Sequence, residues 1–413
     1  FAVFMPIRIR HLLSRTPGGA RALATSRQVG MPVSILQAVS PGRYLPLSLA
    51  LLLGCSGGEP PDSTGEPALA VKEVVEPDIH AFLEEMVELE HFSGVAFVAT
   101  AGKVIHAKAY GAATVGEPNT LDTAFHVASV TKQFTAAAIM QLTETGTLEL
   151  HRSVNRYLPE HYRTPAWDSV TVHHLLSHSS GITDYAVTRD YYDVVDGFSL
   201  GDTVDGMIRE AMAKELEFAP GSKYSYSNIG FTLLGKIIEE QTNTSYEQYI
   251  RANILEPMGM QSSRIHVEGH IPVANEAGGH RWDEESGQHV KDDIVSLPVT
   301  APDGGLVTTL RDFLRWVRIY AGGDQTILSA ASIHAMTTAQ VAKDRGGEFN
   351  AYGYGLDVGE RLIGHSGYIV GFRSRFDLAR ENDTLVIVFT NNTTNSPERI
   401  SAGLLTILFS SNR

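Results

Sequence analysis

Apolar positions recur every fourth residue from Val130 through Phe134 and Ala138 to Leu142, which predicts a helix with one continuous buried stripe. Gly146 follows as its natural C-terminal stop. The same kind of period marks a helix at Ile79, Phe82, Leu83, Met86 and Leu89, with Asp78 as its N-cap. Further helices are expected at Val172–Ser177, Asp202–Leu216, Ile229–Gln241, Tyr246–Ile254 and Leu310–Tyr320. Residues 94–100 and 104–110 are β-rich runs around Ala101-Gly102-Lys103, and predict a hairpin. Strand character returns at Tyr352–Val358, Leu362–Gly364, Gly371–Leu378 and Thr384–Thr390, with a turn at 380–383. Ser396 then caps a last helix that has Pro397 first and Ile400, Leu404, Ile407 and Leu408 inward. Residues 262–300 show no period and read as a long surface excursion. The fold class is therefore α/β (α+β). One antiparallel sheet is built from both chain ends and flanked by helices, with a mostly helical domain inserted over about 123–300. A site is expected where the two parts meet.

With 413 residues, 43% of them hydrophobic, the chain can bury a substantial core. Its formal net charge of −14 includes six arginines in residues 1–55, where there is no lysine or acidic residue, so the remainder carries −20. An acidic body argues against nucleic acid as a partner. Residues 44–54 form an apolar run too short to span a membrane, preceded by Arg43 and ending at Cys55, the only cysteine. Leu52-Leu53-Gly54-Cys55 resembles the bacterial lipobox. That likeness implies a cleaved signal, lipid on Cys55, and a lipid-anchored place in the cell envelope, on its periplasmic or extracellular face. The alternative is an ordinary secretory signal with an incidental cysteine. Residues 1–55 are thus read as leader and signal, with Met31 a possible start for a conventional one. Residues 56–76, rich in Gly, Pro, Ser and Glu, read as a flexible tether, and 77–411 as the folded domain.

Three short stretches carry candidate chemistry. In Ser129-Val130-Thr131-Lys132 a hydroxyl and an amine lie one helical turn apart. A serine needs a base to become a nucleophile, and an amine in apolar surroundings has a lowered pKa and can be that base. Lys132 is the only charged residue between Asp122 and Glu144, which is costly in a buried helix unless the charge is used or paired. The competing reading is a helix cap and a solvated lysine. In Tyr226-Ser227-Asn228, a phenol can carry a proton if a nearby cation lowers its pKa, and the amide can orient a substrate. The competing reading is a core tyrosine followed by an N-cap asparagine. In His365-Ser366-Gly367-Tyr368, the glycine would let a substrate lie close to a strand edge and the Tyr368 N–H could face an oxyanion.

Taken in this order, the three stretches resemble the signatures S-x-x-K, Y-x-N and H-x-G of the serine β-lactamase and penicillin-binding-protein family. They are most similar to the branch of class C β-lactamases, D-alanyl-D-alanine carboxypeptidases, D-aminopeptidases and esterases. Residues 171–182, 254–260 and 304–309 look like that branch too, and the likeness covers about 80–411. It implies a β-lactamase/transpeptidase-like fold acting on a small-molecule or peptide substrate without metal or cofactor. Ser129 would be the nucleophile, Lys132 its activator, and Tyr226 the carrier of a proton to the leaving group and an aid to the deacylating water. Asn228, His365, Ser366, Gly367 and Tyr368 would bind substrate. The N–H groups of Ser129 and Tyr368 would form the oxyanion hole, whose donors are worth about 3 kcal/mol each.

His365 departs from the lysine common in strong β-lactamases and is mostly neutral above pH 7. Weak turnover of β-lactams is expected, and readier cleavage of an ester, amide or D-amino-acid peptide. Arg373, further along the strand, could restore the charge if it faces the site. Two rivals stand beside this reading. One is a catalytically idle relative that binds peptidoglycan or a partner. The other is a metal-dependent hydrolase using His173, His174 and His178, although no H-E-x-x-H accompanies them.

Overall fold

The computed structural model describes residues 71–410 except 115, 185–200, 268–274, 293–300, 322–323 and 345, all within the unit Leu47–Arg413. The leader, Cys55 and most of the tether lie outside the described residues. An eight-stranded antiparallel sheet runs, in spatial order, Val341–Ala342, Ala351–Tyr352, Asp357–Val358, Leu362–Ile369, Phe372–Ala379, Thr384–Thr390, Gly94–Thr100 and Lys103–Tyr110. The two chain ends join one strand in from the Lys103–Tyr110 edge, where Phe97 pairs with Ile387 and Val98 with Val386. The strands Phe372–Ala379, Thr384–Thr390 and Gly94–Thr100 are buried on both faces, which is why they read as apolar runs instead of alternating ones.

On one face Ala96, Val98, Val386 and Val388 pack against Ile79, Leu83 and Met86 of the helix Pro77–Glu90 and Ile400 and Leu404 of Pro397–Ser410. On the other, Phe97, Phe376 and Phe389 join Phe125, Phe134, Phe313 and Trp316 of the segment between the strands. Each fully buried aromatic or aliphatic side chain here is worth roughly 1.5–3 kcal/mol. The helix Lys132–Glu144 runs through this second core and is buried from Lys132 to Met140, then ends before Gly146 at φ +74°. Sequence and structure agree on the sheet assembled from both termini.

Several local expectations are corrected. The first helix is capped by Glu76, whose carboxylate accepts from the Ile79 N–H at 2.7 Å, and not by Asp78. Pro77 has no N–H to satisfy and a preset φ, so the helix starts two residues earlier. The run 352–358 is two short strands broken at Gly355, φ +73°. The strand at Leu362 continues to Ile369 and takes in the whole His365 stretch. The helix at Tyr246 turns into a wider π turn at Arg251–Leu255. The excursion is not all surface. It contains the hairpin His280–Asp283/Gln288–Lys291 and the buried Glu276, held by His126 at 2.8 Å and by Arg264. A small sheet of Ala124–His126, Leu306–Thr309 and Arg264–Ile265, unexpected from periodicity because its strands are so short, carries the chain into the Ser129 turn.

Candidate active site

Ser129 sits in a tight 3₁₀ turn, Ala128–Thr131, which feeds the helix beginning at Lys132. Ala128 has φ +48°, a left-handed conformation costly for a residue with a Cβ. The turn is pinned from several sides. The Thr131 hydroxyl donates to Ala128 O at 2.6 Å and accepts from Leu306 N at 2.9 Å. The Ser374 hydroxyl donates to Val127 O at 2.7 Å. From Thr123 to Met140, Ser129 alone is not buried. The pinned turn presents this one hydroxyl.

Lys132 is fully buried, which excludes the solvated lysine. Its Nζ donates to Ser129 Oγ at 3.0 Å, Asn228 Oδ1 at 2.9 Å and Asp303 O at 2.9 Å, with the Asp303 carboxylate 3.9 Å away. Burial pulls its pKa down to about 8, against the opposing charges of Asp303 and Asp184. A neutral amine has two hydrogens and one lone pair. Asn228 and Asp303 can take both hydrogens, which leaves the lone pair for the Ser129 hydroxyl. The arrangement suits a base.

Tyr226 hydrogen-bonds Ser129, and Lys132 Nζ lies 4.8 Å from its ring centroid. The expected lowering of its pKa is not found. Burial drives the phenol well above 10 and outweighs the bond with Ser129, which pulls the other way. At neutral pH the phenol keeps its proton, so it can relay one but does not stand as a phenolate. Ser227, not Asn228, caps the helix Asn228–Thr242, accepting from Gly230 N at 3.3 Å. That frees the Asn228 side chain for the site. Asp184 fixes it, accepting from Asn228 Nδ2 at 3.1 Å and Ile229 N at 3.0 Å.

Asp184 and Asp303 were missed by sequence reasoning. The available signal was their position, Asp184 two residues after the stretch 171–182 and Asp303 directly before the stretch 304–309.

On the facing strand, Gly367 lies against the Ser129 turn. A Cβ there would meet Val127 O at 2.2 Å, Ser374 Oγ at 2.4 Å and Ala128 Cβ at 3.1 Å. The glycine lets the strand press against the Ser129 turn. The strand and its neighbour Phe372–Ala379 are joined by the two-residue loop 370–371, so Ile369 and Phe372 form the closing hydrogen-bonded pair. Alternation then turns the Tyr368 N–H away from its partner strand, to an edge that pairs with another strand only at Ile363 and Gly364. That N–H therefore points to the strand's other side and not into the hairpin.

His365 is buried and both ring nitrogens are engaged. Nδ1 is 2.6 Å from Ser366 O, so it bears the proton, and Nε2 accepts from the Tyr352 hydroxyl at 3.0 Å. Burial lowers its pKa to about 4, overriding the nearby Asp357. The cations behind it are committed. Lys343 pairs with Asp357, and Arg375 pairs with Asp377 and donates to Ser366 Oγ at 3.0 Å.

Arg373 does not restore the charge. Gly367 and Ser374 face the Ser129 turn, so the adjacent cross-strand pair, Tyr368 and Arg373, leaves from the opposite face. There Arg373 stacks on the Tyr368 ring at 4.8 Å and donates to Asn395 O at 3.1 Å.

The three histidines of the metal rival diverge. His173 bonds the Tyr354 hydroxyl at 2.7 Å, His174 closes a capping box with Thr171, and His178 accepts from Ser227 N at 3.1 Å. Among the described residues no group of three or more His, Cys, Asp or Glu side chains could hold a metal ion.

Comparison with known proteins matches this geometry to relatives. The chain is 28% identical over 314 residues to penicillin-binding protein 4* of Bacillus subtilis (strain 168), covering 71% of this chain and 67% of that protein. It is 35% identical over 179 residues to esterase EstB of Burkholderia gladioli, covering 40% of this chain and 45% of that one. The chain thus spans about two thirds of the first relative's length and under half of the second's. The octameric penicillin-binding protein homologue from Pyrococcus abyssi superimposes with a TM-score of 0.71 at 32% identity, over 81% of this chain and 77% of that one. A D-amino acid amidase from Ochrobactrum anthropi SV3 shares the fold, with a TM-score of 0.69 at 24% identity over 81% of this chain and 98% of that one. The family model described as Beta-lactamase matches residues 79–408, from the first helix through the inserted segment to the last helix. By a match that takes in both ends of the sheet and everything between them, the chain belongs to the beta-lactamase family.

Proposed function

We propose that this protein is a serine hydrolase that cleaves esters or amides through an acyl-enzyme on Ser129. The observation that carries the reading is Lys132: a fully buried amine, with two acceptors for its hydrogens and the Ser129 hydroxyl 3.0 Å away. In acylation Lys132 takes the Ser129 proton as Oγ attacks the carbonyl carbon. The oxyanion rests on the N–H groups of Ser129 and Tyr368. The leaving group departs with a proton passed through the Tyr226 hydroxyl. Water then enters, activated through the same phenol and amine, and releases the acid. Asn228, with Asp184 behind it, offers its remaining hydrogen-bonding capacity to the substrate amide.

The His365 side favours substrates that carry no carboxylate there. A β-lactam or a free D-peptide terminus brings a carboxylate that a neutral imidazole, with both nitrogens occupied, does not offset. Small esters and neutral D-amino-acid amides or peptides fit better, and the esterase and amidase among the relatives support that order. Lipid on Cys55 would place the enzyme at the envelope. Metabolic labelling with a palmitate analogue, lost in Cys55→Ala, tests this.

Intact-mass spectrometry of the protein with a fluorophosphonate, a penicillin and p-nitrophenyl acetate, beside Ser129→Ala, tests the main claim. A single adduct that vanishes in the variant is expected, with faster turnover of the ester than of the penicillin. No adduct from any probe would leave only the idle, binding relative.

A further inference from the structure

His178 takes no part in the chemistry above, yet its bonding is aimed at one place. It is fully buried and its backbone is left-handed, φ +56°. Its carbonyl accepts from Ser225 N at 2.8 Å and its Nδ1 accepts from Ser227 N at 3.1 Å. Those are the two residues flanking Tyr226. The imidazole also lies against the Tyr226 ring, centroids 4.2 Å apart, with Tyr352 at 4.6 Å and Phe231 at 5.1 Å on its other sides.

Because Nδ1 is an acceptor, the neutral ring carries its proton on Nε2, a buried atom that has no hydrogen-bond partner. An apolar side chain would fill the same space without burying an unpaired N–H. What it would lack is the acceptor for Ser227. Burial, and then the charge of Lys132, hold the imidazole far below its ordinary pKa, so that acceptor persists through the working range.

We propose that His178 is a positioning residue of the reaction, clamping Ser225 and Ser227 so that the Tyr226 hydroxyl stays on the Ser129 hydroxyl. The inference rests on the reading of Tyr226 as proton carrier.

Two substitutions separate the clamp from mere packing. Asn places its Oδ1 about where Nδ1 stands, keeping the acceptor and losing the ring. Phe keeps the ring and loses the acceptor. Packing predicts that His178→Phe is the better enzyme, and the clamp predicts His178→Asn. The experiment measures kcat, KM and the thermal midpoint of the full chain with p-nitrophenyl acetate, for both variants, for Tyr226→Phe and for Tyr226→Phe combined with His178→Phe.

The expected result is a kcat in His178→Phe lower by roughly 10- to 100-fold, with KM changed by less than about threefold, as for a reacting group displaced by up to an ångström. His178→Asn should recover most of kcat despite a lower thermal midpoint. In the Tyr226→Phe background, His178→Phe should cost nothing further, because its effect runs through the phenol. A more active Phe than Asn variant, or an undiminished cost of His178→Phe without the phenol, overturns the clamp.

Where His178→Phe does not fold, His178→Gln replaces it, since its amide reaches the Nε2 position. The clamp then predicts an active Asn and an impaired Gln variant, and cavity filling predicts the reverse. A Tyr226→Phe enzyme that keeps full rate while Ser129 still acylates overturns the proton-carrier reading, and the clamp with it. Loss in Tyr226→Phe beside full activity in His178→Phe overturns the clamp alone.

Discussion

The two sides of the site each hold one basic side chain, Lys132 on the inserted helix and His365 on the sheet. Burial acts on both in the same direction with different consequences. It brings the amine to about 8, within reach of neutral pH, because two acceptors and two carboxylates keep the ammonium partly supported. It brings the imidazole to about 4, out of the working range, because an imidazole starts from 6.5 and the charge of Asp357 does not offset the burial. The site therefore has one adjustable proton acceptor, beside the nucleophile, and a neutral wall opposite. Burial lowers both by a similar amount, and it leaves the amine a usable base and the imidazole an inert acceptor because the two groups start from 10.5 and 6.5.

The harshest break in that comparison is on the Lys132 side. Ser129→Ala should lower hydrolysis of p-nitrophenyl acetate by about 10⁴-fold or more and abolish the fluorophosphonate adduct, with the fold intact by circular dichroism. Undiminished turnover would move the chemistry away from this turn. Next in size is Gly367→Ala. Its Cβ would overlap Val127 O and Ser374 Oγ, so the strand must retreat from the Ser129 turn. We expect a loss of 2–4 kcal/mol in unfolding free energy, of the order of overpacking and lost hydrogen bonds, measured by urea titration, and at least a 10²-fold fall in kcat. A variant as stable and active as the parent would show that the close approach is not what the glycine serves.

His365→Lys sharpens the other side. An ammonium facing the site, with Asp357 beside it to favour the charged form, should raise penicillin acylation relative to ester hydrolysis by about tenfold or more, the worth of one hydrogen bond to a charged group. The ratio of the two kcat/KM values is the readout. An unchanged ratio would mean that carboxylates are selected elsewhere.

Much of this site was legible because its central pair is local. Ser129 and Lys132 are three residues apart, so spacing alone implied contact, and the apolar run around them implied burial. The sheet from both termini was likewise visible in two clusters of β-rich runs. What escaped was whatever depends on distant closure. Asp303 meets Lys132 across 171 residues, Asp184 meets Asn228 across 44, and Glu276 meets His126 across 150. No periodicity encodes such pairs. Gly367 was recognised as a close-approach glycine, but the atom it makes room for belongs to Val127, in a different element. The direction of the Tyr226 pKa was not legible either, because it is set by the depth of burial.

The smallest expected effect tests why Lys132 sits near 8 and not lower. The neutral amine is the base, so kcat/KM should rise with pH through about 8 and level above it. Asp303 holds that value up, because its carboxylate favours the ammonium while burial opposes it. Asp303→Asn removes the charge and keeps the backbone carbonyl that accepts from Nζ. The pKa of Lys132 should fall, moving the acid limb to lower pH by roughly one unit. At pH 6 the variant should then lose less of its own plateau rate than the parent does. Its plateau should not exceed the parent's, since a weaker base abstracts the Ser129 proton less readily. A limb that stays in place, or moves to higher pH, would assign the acid limb to a group other than Lys132, and the comparison between the two sides would lose its titrating member.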